Sequence, residues 1–320
     1  MKKFYILIFI ASFFTGCMNH TKNTDPIPEI ADSTCYSLGE GALWDAESHR
    51  LFFVDILENK LIEMHPEKEI RIEHQMPSMI GTVVVQDDEH VLVALVDGIY
   101  RYKLSSREFE FLVCPPENDS TQRFNDGKCD PAGRFWVGSM SLGGGKETSH
   151  LFCMDRDARI SVKLDGITIS NGIVWSSDKK FMYYIDTPTR KVMEYAYDNK
   201  SGMISKPRVA VHVADSLGSP DGMAIDSEDR LWVCMWGGSA VCCFNRENGD
   251  LEERILVPAK NVTSCAFSGP DLNELYITTA RVGTSEEELK QFPNAGSLFR
   301  VNIKTTGQEN YRFKVNNIVF

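Results

Sequence analysis

Hydrophobic and polar positions recur along the chain in one repeated order. A glycine or another small residue precedes an apolar run, a turn rich in aspartate, glycine and serine follows, and an apolar strand with aromatic and β-branched residues comes next. Six segments share this order, and the residues just before their shared small residue lie 40 to 50 positions apart. These marker residues are Glu40, Ile80, Asp126, Asn171, Asp221 and Ser264.

A repeat of this length accommodates four short strands. Segments such as Leu51–Val54 and Leu231–Val233 are typical of strands, and only Ser285–Gln291 is typical of a short helix. Six repeats of four strands predict an all-β domain over residues 34–320, folded as a six-bladed β-propeller. A β-sandwich needs no such period, and a Rossmann-type α/β fold needs helices that the pattern lacks.

The composition is that of a soluble globular protein with an acidic charge. Of 320 residues, 42% are hydrophobic and 25% charged, and 34 Lys+Arg against 45 Asp+Glu give a net charge of −11. Because this charge repels phosphate backbones, we expect no nucleic-acid partner. An acidic charge also suits divalent cations, although solubility alone accounts for it in most proteins.

The N-terminus predicts export. Two lysines precede an apolar run, Phe4 to Phe14, which is too short to cross a bilayer core of ~30 Å. The run ends in Phe-Phe-Thr-Gly-Cys, which resembles a bacterial lipobox, whose cysteine (Cys17) is lipidated and becomes the mature N-terminus. We expect a signal peptide over residues 1–17, a polar tether over 18–33, and a periplasmic or membrane-anchored lipoprotein that reaches the membrane only through this lipid. A signal peptide without lipidation is the alternative.

Eight cysteines follow Cys17, with no CxxC pair among them. Several lie inside apolar strand segments, where a thiol behaves as a small hydrophobic group. We therefore expect mostly buried thiols, with room for one disulfide bond.

Polar side chains occupy equivalent positions in several repeats. The innermost strand of each propeller blade borders the central channel, so equivalent positions form a ring around it. Carboxylate and amide oxygens at such positions suit Ca²⁺, Mg²⁺ or Mn²⁺ and tolerate Zn²⁺ or Fe²⁺. The alternative is that these residues only form turns with the glycine that follows, but two of the six repeats lack them. The ring contains Glu40, Asp126, Asn171 and Asp221, with Asn125 beside it.

Six motifs in the propeller segment carry a family resemblance. They are Leu38-Gly-Glu-Gly41, Arg123-Phe-Asn-Asp-Gly-Lys128, Ile169-Ser-Asn-Gly172, Pro220-Asp-Gly-Met223, Thr263-Ser-Cys-Ala-Phe267 and Gly296-Ser-Leu-Phe-Arg300. Through these motifs the chain resembles the SMP-30/gluconolactonase (regucalcin-like) family, and the resemblance covers nearly all of the chain after about residue 34. Members of this type are six-bladed propellers with one catalytic divalent metal, and many hydrolyse sugar lactones to aldonic acids.

The resemblance assigns roles to individual residues. It implies Glu40, Asn171 and Asp221 as ligands of one divalent cation (Ca, Zn, Mg, Mn or Fe), among which this mixed ligand set does not discriminate. It also implies Asp221 as the catalytic acid/base, Asn125 beside the metal and in contact with the substrate or a bound water, and Arg123 as a hydrogen-bond donor to the substrate. An ordinary surface ion pair is the alternative for this arginine.

One loop departs from the family pattern. Where some relatives have a glutamate after the Gly-Ser/Thr-Met of the third blade, this chain has Ser141-Leu-Gly-Gly-Gly-Lys146. The resemblance implies that this loop touches the substrate, so preferences for particular substrate hydroxyls do not transfer.

Together these features predict a metal-dependent hydrolase that opens sugar lactones, its small-molecule partners, to aldonic acids. No GxSxG or HExxH motif occurs, which counts against a serine hydrolase or an HExxH metalloprotease. Two alternatives stay open: a metal-dependent aryl-ester or phosphotriester hydrolase of the same propeller type, and a non-enzymatic tethered binding propeller.

Overall fold

A computed structural model describes residues 27–117 and 120–316 of the chain. Within these ranges 24 strands form six four-stranded antiparallel sheets, each of which is one blade. The innermost strands contact one another in chain order, and the last contacts the first, so that the blades close into a ring. The prediction of an all-β, six-bladed β-propeller is confirmed.

The strands are numbered β1 to β24 in chain order. Blade one contains β2 (Gly39–Asp45), β3 (Arg50–Asp55), β4 (Lys60–His65) and β5 (Ile70–Gln75), and blade two contains β6 (Ile80–Val85), β7 (His90–Leu95), β8 (Gly98–Lys103) and β9 (Glu108–Val113). Blade three contains β10 (Gln122–Cys129), β11 (Phe135–Ser141), β12 (Ser149–Met154) and β13 (Ile160–Ile167).

The second half of the ring follows the same plan. Blade four contains β14 (Ser170–Trp175), β15 (Phe181–Asp186), β16 (Lys191–Asp198) and β17 (Met203–His212), and blade five contains β18 (Ser219–Ile225), β19 (Leu231–Trp236), β20 (Ala240–Phe244) and β21 (Leu251–Leu256). Blade six contains β22 (Asn261–Ser268), β23 (Glu274–Ala280), β24 (Leu298–Asn302) and, from the N-terminal side, β1 (Glu29–Asp32).

Helical segments are short. The predicted helix near residue 285 is present as α1 (Glu286–Gln291), which begins with a capping box formed by Ser285 and Glu288. Single 3₁₀ turns span Pro66–Lys68, Thr187–Thr189 and Asp215–Leu217. In the described part of the chain no helix has the length and apolar character needed to cross a membrane.

The N-terminal segment begins the propeller earlier than predicted. Strand β1 pairs antiparallel with β24, so Glu29–Asp32 belongs to blade six rather than to a tether ending at residue 33. A strand from the start of the chain thereby completes the last blade. The predicted signal peptide over 1–17, with Cys17, and the tether up to residue 26 lie outside the described residues.

Close packing at the axis explains the repeated small residue. A Cβ atom on Gly81 would lie 2.4 Å from the carbonyl oxygen of Phe124, and one on Gly222 would lie 2.7 Å from the carbonyl oxygen of Thr263. Both carbonyls belong to the inner strand of the next blade. Only glycine fits where two inner strands approach this closely.

Apolar side chains fill the spaces between neighbouring blades. Each of six hydrophobic clusters joins residues of two adjacent blades, for example β20 and β24. Six of the eight cysteines after residue 17 are buried, most of them in these clusters, as predicted.

Two buried aspartates connect the strands of blades three and five. Asp130 is fully buried and accepts hydrogen bonds from the Arg134 guanidinium (Nε, 2.5 Å) and the Trp136 indole (2.8 Å). Asp226 has the same arrangement with Arg230 (2.8 Å) and Trp232 (2.9 Å). The sequence pattern assigned these aspartates to turns; their side chains also satisfy buried donors in the core.

The C-terminal tail, residues 306–316, crosses the ring and bonds to several blades. Its backbone donates to carbonyls of Ile225, Val85 and Gly133, in blades five, two and three. In blade one, Arg312 donates to both carboxylate oxygens of Asp45, at 2.7 and 2.6 Å. The tail therefore ties separate blades together.

We expect Arg312→Ala to lower the free energy of unfolding by about 2 kcal/mol, because it leaves the buried Asp45 carboxylate without its charged donor. Chemical denaturation measures the change. Arg159→Ala is the matched control, since Arg159 is exposed and lies 3.6 Å from Asp157; it should cost less than about 0.5 kcal/mol. Equal effects of the two variants would show that the bonds from Arg312 to Asp45 add no stability.

Candidate active site

A cavity of about 260 Å³ opens at one end of the central channel. Side chains from several inner strands reach it at points where the pairing of the inner strand with its neighbour changes register. Such bulges re-aim side chains, and they are common beside active sites. The polar lining consists of Glu40, Arg123, Asn125, Asn171 and Asp221. All five residues to which the family resemblance assigns roles thus meet in one cavity.

Asp126, predicted as a member of the ring, does not line this cavity, although its charge acts on both Glu40 and Asp221. Asn125, one residue earlier, lines the cavity. The Asp126 carboxylate is buried next to it and accepts from the Gly127 backbone at 2.8 Å, while its other oxygen has no hydrogen-bond partner among the described residues. Burial raises its pKa, against the opposing charge of Lys128.

The two lining carboxylates are buried and repel each other. Burial and the Asp126 charge raise the pKa of Glu40 to about 8, against a 3.1 Å hydrogen bond from the Gly41 backbone. Burial, together with the charges of Glu40 and Asp126, raises the pKa of Asp221 well above its ordinary value. A proton or a cation between them would relieve this repulsion.

Arg123 lies inside the cavity and is not a surface ion-pair residue. Its side chain is 8% exposed, and burial lowers its pKa to about 10, although the charges of Glu40 and Asp221 act in the opposite direction. The guanidinium therefore stays charged at neutral pH. Its Nη1 donates to the Asn125 side-chain oxygen at 2.7 Å and to the Phe124 carbonyl at 2.9 Å.

A chain of hydrogen bonds fixes the two asparagines. The Asn125 amide donates to the Ser170 carbonyl at 2.7 Å, and the Asn171 amide donates to the Thr187 hydroxyl at 2.8 Å. That hydroxyl in turn donates to the Pro220 carbonyl at 2.8 Å. The nitrogen of Asn171 is therefore engaged, and its oxygen, which accepts a long bond of 3.4 Å from the Asn125 amide, can serve as a ligand through its second lone pair. Thr187 was not predicted, because it lies in a 3₁₀ turn outside the repeated inner-strand positions.

The donor set fits a divalent cation. In their ionised forms the three buried carboxylates Glu40, Asp126 and Asp221 outnumber the two buried basic side chains beside them, Arg123 and Lys128, so a bound cation would offset the remaining negative charge. No three His, Cys, Asp or Glu side chains in residues 27–117 and 120–316 cluster as a metal site by themselves. The predicted ligands include only two such groups and need the amide oxygen of Asn171.

The rest of the cavity lining is mainly apolar. It consists of Leu38, Met140, Ile169 and Trp236, with the hydroxyls of Thr187 and Ser219. The four apolar side chains come from four different blades and are all partly exposed. The cavity therefore has a charged floor and apolar walls.

Comparison with known proteins agrees with this architecture. Residues 38–281 match the SMP-30/Gluconolactonase/LRE-like region. The Bacillus subtilis protein named "Putative sugar lactone lactonase YvrE" is 38% identical over 272 residues, which cover 85% of this chain and 93% of that protein. Pentonolactonase XacC of Haloferax volcanii is 34% identical over 302 residues, covering 90% and 98% of the two chains.

A solved structure is also similar. The crystal structure of a calcium-binding protein, regucalcin, from Agrobacterium tumefaciens superposes with a TM-score of 0.86 at 26% sequence identity, covering 91% of this chain and 98% of that one. The resemblance stated from the six sequence motifs is thus confirmed, and the chain belongs to the SMP-30/gluconolactonase/LRE-like family.

Proposed function

We propose that this protein is a metal-dependent hydrolase that opens sugar lactones to aldonic acids. The observation that carries the proposal is the meeting of Glu40, Asn171, Asp221 and Arg123 in one cavity. Support also comes from relatives whose names include lactonase. A divalent cation held by Glu40, Asn171 and Asp221 would supply Lewis-acid charge to a lactone carbonyl and make water more acidic.

The protein's own side chains then bind the lactone and move the proton. Arg123 donates hydrogen bonds that orient its oxygens over the charged floor, and Asn125 holds the Arg123 guanidinium in place through its side-chain oxygen. Asp221 accepts a proton from the attacking water as the new bond to the carbonyl carbon forms. It returns the proton to the ring oxygen as the ring bond breaks, and the acid product then releases a proton to solution.

A panel of substrates tests the proposal. The full-length protein is supplied in turn with Ca²⁺, Mg²⁺, Mn²⁺, Zn²⁺ or Fe²⁺, and a pH indicator follows acidification of sugar lactones, aryl esters and phosphotriesters. We expect acidification with lactones and none in Asp221→Ala. The apolar walls favour aryl esters as the second candidate, so faster hydrolysis of aryl esters would replace the lactonase proposal. Metal binding without turnover would favour a binding propeller.

We expect removal of the metal by a chelator to abolish hydrolysis and to lower the melting temperature. A ligand at 100 times its dissociation constant stabilises a folded protein by about 2.7 kcal/mol, so restoring the cation should restore this stability. Differential scanning calorimetry measures the shift. Glu40→Gln, which loses a charged ligand, should show a much smaller shift. Identical shifts in melting temperature for the wild type and Glu40→Gln would mean that the cation binds away from Glu40.

We further propose that the protein is exported and anchored through a lipid on Cys17, on the strength of the lipobox-like sequence alone. Cys17→Ser should move the protein from the membrane fraction to the soluble fraction on cell fractionation. An unchanged distribution would count against the anchor.

A further inference from the structure

The apolar walls of the cavity limit the substrates that fit above its charged floor. Met140 lies opposite Arg123 in the pairing of β10 with β11. Its backbone also forms an isolated antiparallel β-bridge with Ile169, which directly precedes β14 of the next blade. Leu38 and Trp236 complete the apolar lining. A lactone held at the floor by Arg123 therefore has its distal carbons against hydrocarbon and indole surfaces.

Hydroxyl groups in the walls offer little to a polar substrate. The Thr187 hydroxyl donates to the Pro220 carbonyl and accepts from the Asn171 amide, so its proton is engaged. The Ser219 hydroxyl accepts from Arg190 at 3.4 Å and keeps a proton to donate. A hydroxyl at the far end of the substrate would give up its hydrogen bonds to water here, and of the two wall hydroxyls only that of Ser219 could replace them. A methyl group at the same position would instead gain apolar contacts.

We propose that the lactone taken by this site carries an apolar distal end, with oxygen-rich groups only near the ring carbonyl. This inference rests on the proposed lactonase function and narrows its substrate class. Two kinds of compound share this chemistry: deoxysugar lactones, which end in a methyl group, and alkyl-substituted lactones without sugar hydroxyls. Sugar lactones with a terminal hydroxyl are expected to be poorer substrates.

The test compares matched lactones on the full-length, metal-loaded protein. D-galactono-γ-lactone and D-fucono-γ-lactone differ only in the terminal hydroxyl, and γ-heptalactone represents the alkyl class. We expect kcat/KM to be at least about tenfold higher for the fuconolactone than for the galactonolactone. Faster hydrolysis of γ-heptalactone than of fuconolactone would identify the alkyl class, and the reverse order the deoxysugar class.

A wall variant tests whether the cavity causes this preference. Met140→Gln keeps the side-chain length and adds a hydrogen-bond donor and an acceptor. The ratio of kcat/KM for the fuconolactone to kcat/KM for the galactonolactone should therefore fall at least about threefold. Met203→Gln is the matched control, because Met203 is 66% exposed on the outer strand of blade four. The Met203→Gln protein should show the same ratio of kcat/KM values for the two sugar lactones as the wild type.

The outcomes separate this inference from the proposed function. Equal or faster hydrolysis of the galactonolactone overturns the inference and leaves the lactonase proposal intact. Hydrolysis of none of the three lactones, with metal bound, overturns both. If Met140→Gln fails to fold, the wild-type ratio still decides between the outcomes.

Discussion

Replacing Asp221 by asparagine is expected to lower kcat/KM for lactone hydrolysis by about 10²- to 10⁴-fold, the range seen when a general acid–base group is lost. The same change should leave the metal-free protein at least as stable as the wild type. Burial and the charges of Glu40 and Asp126 raise the pKa of Asp221, which means that its ionised form is unfavourable in the folded protein. A neutral amide of the same shape removes this cost.

Kinetics and chemical denaturation of the same preparations test both halves of this prediction. Asp250→Asn is the control, because Asp250 is an exposed aspartate in the same blade and should leave activity and stability unchanged. Activity of Asp221→Asn within threefold of the wild type would exclude Asp221 as the proton acceptor. A large loss of stability would mean that Asp221 is structural.

Replacing Asp130 by alanine is expected to destabilise the protein by about 3 to 5 kcal/mol, the usual cost of removing one partner of a buried ion pair. The side chain of Asp130 is fully buried and accepts from the guanidinium of Arg134 and the indole of Trp136. Its loss leaves the Trp136 indole and the Nε of Arg134 without an acceptor and the buried guanidinium without its counter-charge, although the other guanidinium nitrogens keep neutral acceptors. Because blade three supplies Asn125 and Arg123, activity should fall together with stability.

Asp155→Ala provides a close control for that variant. Asp130 accepts from the backbone of the residues two and four positions ahead, at 3.0 and 2.9 Å, and Asp155 makes the same pair of bonds at 2.8 and 2.9 Å. Losing the turn bonds alone should cost about 1 kcal/mol. The difference between the variants, from urea denaturation, then measures the buried ion pair. Equal losses would show that Asp130 acts only through its turn.

Much of the propeller could be predicted because each sequence repeat encodes the strands of one blade. Four strands per period follow from repeat length and alternating apolar residues, and the ring positions of Glu40, Asn171 and Asp221 follow from their equivalence in the repeats. The choice between Asn125 and Asp126 could not be predicted in this way. At a bulge two residues of one strand lie opposite a single residue of its neighbour, and periodicity does not say which of the two lines the cavity.

Features without a repeat were not predictable from the pattern. Glu29–Asp32 is only four residues long and carries a charged residue at each end, and its partner strand lies at the far end of the chain, so nothing local distinguishes it from a tether. The tail over 306–316 and the turn with Thr187 likewise take their roles from neighbours distant in sequence. The apolar walls depend on the blades' relative positions, which no single repeat encodes.

The rate of lactone hydrolysis tests the proposed site most directly when the metal-free protein is titrated with the cation that supports activity. Bound metal is determined in the same samples. We predict that the rate rises in proportion to occupancy and levels off at one cation per chain. Hydrolysis by the metal-free protein, or full occupancy without hydrolysis of any lactone, would contradict a lactone-opening site built on Glu40, Asn171 and Asp221.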